Sequence, residues 1–280
     1  MVDLTKIEWP FKGQVKEWKF GKPSNIIPQA IVFGLAKLWM SRPFNNKILY
    51  NGKSFRTIVE ERQVQQKIKG CTSRSLLTIS NHRSCLDDPF LWGSLLSWKQ
   101  LASGQMRWVP VAAEICFTNR LYSFLFGRGH CVPVVRGHGV YQQGMDFILK
   151  RLNEGHWVHI FPEGKVTMDE SQRLKWGVGR LIAESKIVPD VIPIWHMGAD
   201  TILPNKSPYI PRLRKTLAIY IGQPIGLERL VAEWKEQIAD PMLLRKRITD
   251  YLEGELRQVK EAAMKQHQQA LESMERYSRR

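Results

Sequence analysis

The run Leu76-Leu77-Thr78-Ile79-Ser80-Asn81-His82-Arg83-Ser84-Cys85-Leu86-Asp87-Asp88-Pro89 sets an uncharged stretch of strand length directly against a polar turn. Leu76–Ser80 has the length and apolar character of a strand buried in a sheet. Asp88-Pro89 reads as a helix start, with Asp88 as N-cap and Pro89 at the first helical position of a helix reaching Leu96. His82 and Asp87 lie five apart, a poor fit to one helical face, so the residues between strand and helix read as a turn, with Asp87 just outside the helix. Strand, turn and helix in that order form the building unit of an α/β sheet.

Outward from this unit the alternation continues. Strands are expected at Trp108–Ala112, Cys131–Val135, Trp157–Phe161, Val191–Trp195 and Leu217–Ile221, and helices at Arg120–Phe126, Tyr141–Asn153 and Trp176–Glu184. In Tyr141–Asn153 one face carries Met145, Ile148, Leu149 and Leu152, and Gly155 marks the stop. The expectation is an α/β fold: a single domain over residues 71–239 with a largely parallel central sheet flanked by helices. Asp240-Pro241 then opens a long amphipathic C-terminal helix over residues 240–280, its stripe formed by Leu244, Ile248, Leu252, Leu256, Val259 and Ala263.

The remaining region, residues 1–70, is basic. The chain of 280 residues holds 42 Lys and Arg against 26 Asp and Glu, a net charge of +16, and residues 1–70 supply 13 bases and 5 acids of these. Such an excess points to an anionic partner, either nucleic acid, phosphorylated metabolite or membrane surface. No nucleic-acid-binding module is recognisable, so nucleic acid is not expected as a partner. Pro23 to Ala36 is uncharged for 14 residues, short of the about 20 that a spanning helix requires. The apolar positions Ile27, Ile31, Leu35 and Leu38 recur at helical spacing, with Trp39 beside them and Lys37, Arg42 and Lys47 near the end, which suits a helix lying in the lipid interface. A docked core helix satisfies the same periodicity. Trp9, Trp18, Trp39, Trp92, Trp98 and Trp108 are interleaved with Lys16, Lys19, Lys22, Lys99 and Arg107, a pairing that fits headgroup depth. No apolar run of secretory type follows Met1, so any targeting is expected to be internal.

Chemistry concentrates in three places. In the turn after Leu76–Ser80, Asp87 can reach back to His82 Nδ1, fix the tautomer and leave Nε2 free as a general base. Ser84 and Cys85 are weaker nucleophile candidates, because no G-x-S-x-G elbow surrounds them. Phe161-Pro162-Glu163-Gly164-Lys165 closes a strand and offers an acceptor, a glycine and a cation at the carboxyl end, where α/β sheets hold ligands. Arg136-Gly137 follows the strand Cys131–Val135 and suits a phosphate. Read alone, the second and third are ordinary turns and surface charge. Cys71, Cys85, Cys116 and Cys131 form no C-x-x-C pair, so neither a metal site nor a disulfide framework is expected. His130, His138, His156, His196 and His267 read as surface or structural residues, and His159 as packed.

Together and in this order, the blocks resemble the glycerolipid acyltransferase superfamily, which shares N-H-x4-D followed by F-P-E-G. The likeness extends through Val132-Pro133-Val134-Val135-Arg136-Gly137, Gly139-Val140-Tyr141-Gln142-Gln143-Gly144-Met145-Asp146-Phe147, Trp157-Val158-His159-Ile160 before the second block, and Lys175-Trp176-Gly177-Val178-Gly179-Arg180. Its nearest branch holds mitochondrial transacylases. Where lysophosphatidate acyltransferases continue F-P-E-G with Thr-Arg, this chain has Lys165-Val166, so phosphate contacts of that Arg do not carry over.

The resemblance implies transfer of an acyl group between phospholipids and lysophospholipids without acyl-CoA, cofactor or metal, with cardiolipin, monolysocardiolipin and phosphatidylcholine as lipids. His82 and Asp87 would be catalytic, and Arg136, Glu163, Gly164 and Lys165 would bind substrate. Backbone N–H groups of the helix near Pro89 are the expected oxyanion donors. The implied setting is a monotopic position on a mitochondrial membrane facing the intermembrane space, with self-association left open. Two rivals stand beside it: an acyl-CoA-dependent lysophospholipid acyltransferase, and a non-catalytic lipid-binding protein of the same fold.

Overall fold

The computed structural model describes residues 9–10, 23–69, 74–169 and 173–278. Trp18, Lys16, Lys19, Lys22 and Cys71 lie outside the described residues. Helix α1 (Pro23–Trp39) leads to strand β1 (Asn46–Tyr50) and helix α2 (Gly52–Lys69). Next come β2 (Leu76–Ser80), α3 (Asp87–Leu95), α4 (Trp98–Leu101), β3 (Val109–Ala112), α5 (Ala113–Cys116) and α6 (Arg120–Arg128). Strict alternation follows through β4 (Cys131–Val134), α7 (Gln143–Asn153), β5 (Trp157–Ile160), α8 (Gly177–Glu184) and β6 (Asp190–Met197). The order is completed by α9 (Ala199–Ile202), β7 (Thr216–Ile221), α10 (Glu228–Gln237) and α11 (Pro241–Ser278).

The central sheet runs β1-β7-β6-β2-β5. Strand β2 is parallel to both neighbours, pairing Leu76 with Trp157 on β5 and with Asp190 on β6. Strand β7 runs antiparallel to β6 and parallel to β1. The parallel pair β3-β4 attaches beyond β5 through Trp108, whose N–H donates to the Trp157 carbonyl at 2.8 Å and whose carbonyl accepts from His159 N–H at 2.8 Å. A largely parallel sheet is thus present, with β2 in its interior.

All five residues of β2 are buried, which explains its unbroken lack of charge. Alternate residues serve opposite layers. Leu77 and Ile79 pack with Ile148 and Leu152 of α7, Leu181 of α8, and Ile248, Leu252 and Leu256 of α11. Leu76 faces the other layer, with Phe33 and Met40 near α1, Phe55 of α2, and Leu91, Trp92 and Leu95 of α3. The C-terminal helix begins where Asp240-Pro241 predicts, and Asp240 Oδ1 accepts from Met242 N–H at 2.8 Å. It lies so close to α8 that a Cβ at Gly179 would stand 2.2 Å from the Arg245 carbonyl oxygen.

Several elements depart from the sequence reading, among them the short helices α4, α5 and α9. Strand β1 and helix α2 fall within residues 1–70, and β1 is hydrogen-bonded into the central sheet beside β7. Helix α10, anchored by buried Val231 and Trp234, precedes α11. The interleaved-Trp reading fails for Trp92 and Trp108, which are fully buried, whereas Trp98 is exposed. Arg107, read with them as a headgroup cation, is likewise buried.

Candidate active site

Strand β2 makes its last ladder pairing at Ser80, opposite Ile194. One residue later, side chains take over from the ladder. Asn81 Nδ2 donates to the His196 carbonyl, His196 N–H donates to Asn81 Oδ1, and His196 Nε2 donates to the Asn81 carbonyl, each at 2.9 Å. Both residues are buried, so no water competes for these groups. The backbone leaving β2 is therefore pinned to β6 immediately before it delivers His82.

Asp87, the first residue of α3, turns its carboxylate back across the turn. Its Oδ2 accepts from His82 Nδ1 at 2.8 Å, Arg83 N–H at 2.6 Å and Ser84 N–H at 2.9 Å. Asp87 has no exposed side-chain surface, while His82 retains 20%. A buried carboxylate needs such donors, and the two backbone N–H groups hold it where it can orient the imidazole. With Nδ1–H committed to Asp87, the Nε2 lone pair is left for a substrate proton. His196 Nε2 stands 3.6 Å from the same Oδ2, too far for a hydrogen bond but near enough for its N–H dipole to act on the carboxylate.

The F-P-E-G loop is laced to this turn. His82 N–H donates to Glu163 Oε1 at 3.3 Å, Thr167 N–H donates to the His82 carbonyl at 3.1 Å, and the Arg83 guanidinium donates to the Thr167 carbonyl. Phe161 stacks on the His82 ring with centroids 4.2 Å apart, and its edge meets His159 at 4.5 Å. Gly164 adopts φ +74, a left-handed conformation that tightens the turn between Glu163 and Lys165. Burial raises the Glu163 carboxyl to about 7. Burial lowers His159 to about 3 and also lowers His196, so both are neutral at physiological pH.

Several expected roles change. Asp88 is not the N-cap: that position belongs to Leu86, which makes no side-chain cap bond. Instead Asp88 Oδ1 accepts from Trp92 Nε1 at 2.7 Å and from Arg107 Nε at 2.9 Å. Against the upward push of burial, Arg107 holds the Asp88 carboxyl below its usual range. Three backbone N–H groups ahead of the helix body are already committed within the turn. Arg83 and Ser84 N–H groups go to Asp87, Asp87 N–H goes to the Ser84 carbonyl, and Pro89 has none.

The structure brings His82, Asp87 and Glu163 together. Arg136 makes its ion pair with Glu114 of α5, Nε to Oε1 at 2.6 Å, and Lys165 is exposed. Among residues assigned a bland role, His196 proves to be part of the site's framework. Its place just past the expected strand Val191–Trp195, at a carboxyl end, was the available signal.

Residues 56–197 match the family described as Acyltransferase, a stretch that holds both loops of the site and β2 to β6. Over 210 residues the chain is 42% identical to tafazzin of Drosophila melanogaster, covering 75% of this chain and 56% of that protein. It is 37% identical over 226 residues to the taffazin of Dictyostelium discoideum, covering 78% and 73% of the two chains. The N-acylphosphatidylethanolamine synthase of Arabidopsis thaliana is 36% identical over 229 residues, covering 77% of each. Likeness of this depth, carried across the dyad turn and the loop that braces it, means that the chain belongs to the glycerolipid acyltransferase superfamily and, within it, to the tafazzin family.

Proposed function

We propose that the chain is a CoA-independent transacylase that moves a fatty acyl group from a phospholipid to a lysophospholipid, with monolysocardiolipin as acceptor and cardiolipin as product. The observation that carries this reading is the 2.8 Å contact between the partly exposed His82 and the sealed Asp87. An acceptor hydroxyl ionises far above neutral pH, so it needs a placed base, worth about 10²–10⁴-fold in rate. His82 Nε2 takes the hydroxyl proton as the oxygen attacks the donor ester carbonyl. The tetrahedral intermediate then expels the donor's glycerol oxygen, which recovers the proton from His82. One ester forms and one breaks, so no nucleotide is consumed and the reaction runs in both directions. Arg136, Glu163, Gly164 and Lys165 are assigned to the glycerophosphate part, with Arg136 exchanging Glu114 for phosphate.

Both substrates are bilayer lipids, so the reading includes peripheral attachment to a mitochondrial membrane. No helix among the described residues is long and apolar enough to cross one. Helix α1 supports lateral attachment: Phe33 and Ala36 are buried, and Ile27, Ile31, Leu35 and Leu38 are exposed on its outer side. Helix α6, which packs against α1, exposes Leu121, Phe124 and Leu125, and α5 beside it exposes Ile115.

A second acceptor class follows from the relative named N-acylphosphatidylethanolamine synthase, in which the acceptor would be an amine. Purified chain mixed with acyl-labelled phosphatidylcholine and no CoA separates the readings. Label in cardiolipin when monolysocardiolipin and phosphatidylethanolamine are supplied together is the expected result. Label only in N-acylated phosphatidylethanolamine, or transfer only with added CoA, contradicts it.

A further inference from the structure

Between α9 and β7 the chain forms a loop, residues 204–215, that the dyad does not use. Tyr209, Ile210 and Leu213 project from it with 58%, 64% and 50% of their surface exposed. Lys206, Arg212 and Arg214 are exposed among them, and Lys215 is partly so. No Asp or Glu occurs between Asp200 and Glu228. Three large apolar side chains gathered on one solvated loop form the kind of exposed patch that marks an interaction surface, and the stretch that carries them holds cations with no acid among them. The combination of an aromatic, two aliphatics and several long cations matches the boundary between headgroups and acyl chains.

The loop is also held in place. Arg212 N–H donates to the Ile202 carbonyl at 2.7 Å, closing its base. At one foot, the Leu203 carbonyl accepts from Ser84 Oγ at 3.0 Å, inside the turn that carries His82 and Asp87. At the other, Arg214 N–H donates to the Phe44 carbonyl at 2.7 Å, and Lys215 N–H to Asn45 Oδ1 at 2.8 Å. Phe44 stacks on Trp39 at the end of α1, and Asn45 Nδ2 donates to the Trp39 carbonyl. The loop therefore joins the catalytic turn to the end of the helix that presents the outward apolar stripe.

We propose that residues 204–215 form a second membrane-docking element, which inserts Tyr209, Ile210 and Leu213 at the bilayer boundary and selects anionic headgroups through Lys206, Arg212 and Arg214. The inference rests on the reading that both substrates are bilayer lipids. It goes beyond that reading by naming the headgroup charge that the surface prefers and the residues that read it. Juxtaposed with the dyad turn, such a contact would seat the site where anionic lipids are concentrated.

The test is flotation of the full chain with phosphatidylcholine vesicles and with vesicles of phosphatidylcholine mixed with phosphatidylglycerol. The doubly neutralised variant, Arg212→Gln with Arg214→Gln, should bind the anionic vesicles about 30-fold more weakly at low salt and the neutral ones within about threefold of the parent. Tyr209→Ser with Ile210→Ser and Leu213→Ser should weaken binding to both. Each variant should keep the parent's acyl transfer in detergent micelles. Unchanged binding of the neutralised variant to anionic vesicles, or an equal loss on both vesicle types, overturns the proposal. Loss of heparin binding with vesicle binding intact also overturns it and assigns the cations to a soluble polyanion. A parent chain that floats as predicted but transfers no acyl group in micelles would sink the functional reading and leave this one standing.

Discussion

One carboxylate oxygen, Asp87 Oδ2, gathers the imidazole of His82 and two backbone N–H groups, with the His196 N–H dipole just beyond hydrogen-bond range. His196 acts on the dyad through the Asn81 carbonyl, which it pins one residue before His82. His196→Leu removes the shorter of two side-chain donors to that buried carbonyl, leaving Ser80 Oγ at 3.2 Å. It should lower the turnover number about tenfold or more with a smaller change in KM, and cost about 1–3 kcal/mol in urea unfolding. His196→Gln returns an N–H of similar reach and should recover most of the turnover. Parent-like turnover in His196→Leu would remove it from the positioning framework. At this scale the dyad was legible because His82 and Asp87 are five residues apart and share one turn. The clamp was not, because Asn81 and His196 are separated by 115 residues and meet only through the pairing of β2 with β6. Asp88 was misread for the same reason: Arg107, its partner, is 19 residues away.

Elements with strong periodicity were legible to within about two residues at their ends. Leu76–Ser80 has the expected bounds, and α7 shows the expected buried positions Met145, Ile148 and Leu152. Gly155, at φ +78, ends α7 as expected, with Gly155 N–H on the Leu152 carbonyl and His156 N–H on that of Arg151. Strand β1 escaped because its residues Asn46-Lys47-Ile48-Leu49-Tyr50 are only partly buried at a sheet edge and lie inside a basic stretch. Helix α2 escaped because few apolar positions, chiefly Phe55 and Val59, hold a long polar helix to the core. For α1 the stripe was visible but its environment was not. Ile27, Ile31, Leu35 and Leu38 turn outward while Phe33 and Ala36 turn inward, which only the packing against α3 reveals. Trp92 and Trp108 show the converse, aromatics near cations in sequence that lie inside the fold.

The assembled molecule places its reactive turn at the carboxyl end of a central parallel strand, with buried His159 and Glu163 beside it and buried His130 farther off against Trp108. These make a prediction for the whole fold. Burial lowers His130 and His159 to about 3 each, so between pH 6.5 and 3 the unfolded chain binds protons that the folded chain refuses, and stability falls as pH falls. From pH 7 to pH 5 each costs about 2 kcal/mol. Glu163, raised to about 7 from 4.5, acts in the opposite sense: its folded form holds the proton, and its contribution, full below pH 4.5, is lost as pH rises through 7. Over the same interval it returns about 2 kcal/mol on acidification. Urea unfolding at pH 7 and pH 5 should show a net loss of about 2 kcal/mol from these three groups, widening to about 4 kcal/mol in Glu163→Gln. A smaller acid loss in Glu163→Gln than in the parent would contradict the assignment.

The proposed acyl transfer by this chain depends on His82 as the base. The direct measurement is the initial rate of CoA-free acyl transfer from phosphatidylcholine to monolysocardiolipin by the parent chain and by His82→Ala, at matched folding and matched membrane recovery. A fall of about 100-fold or more is the predicted result, and a variant within about threefold of the parent would contradict the mechanism.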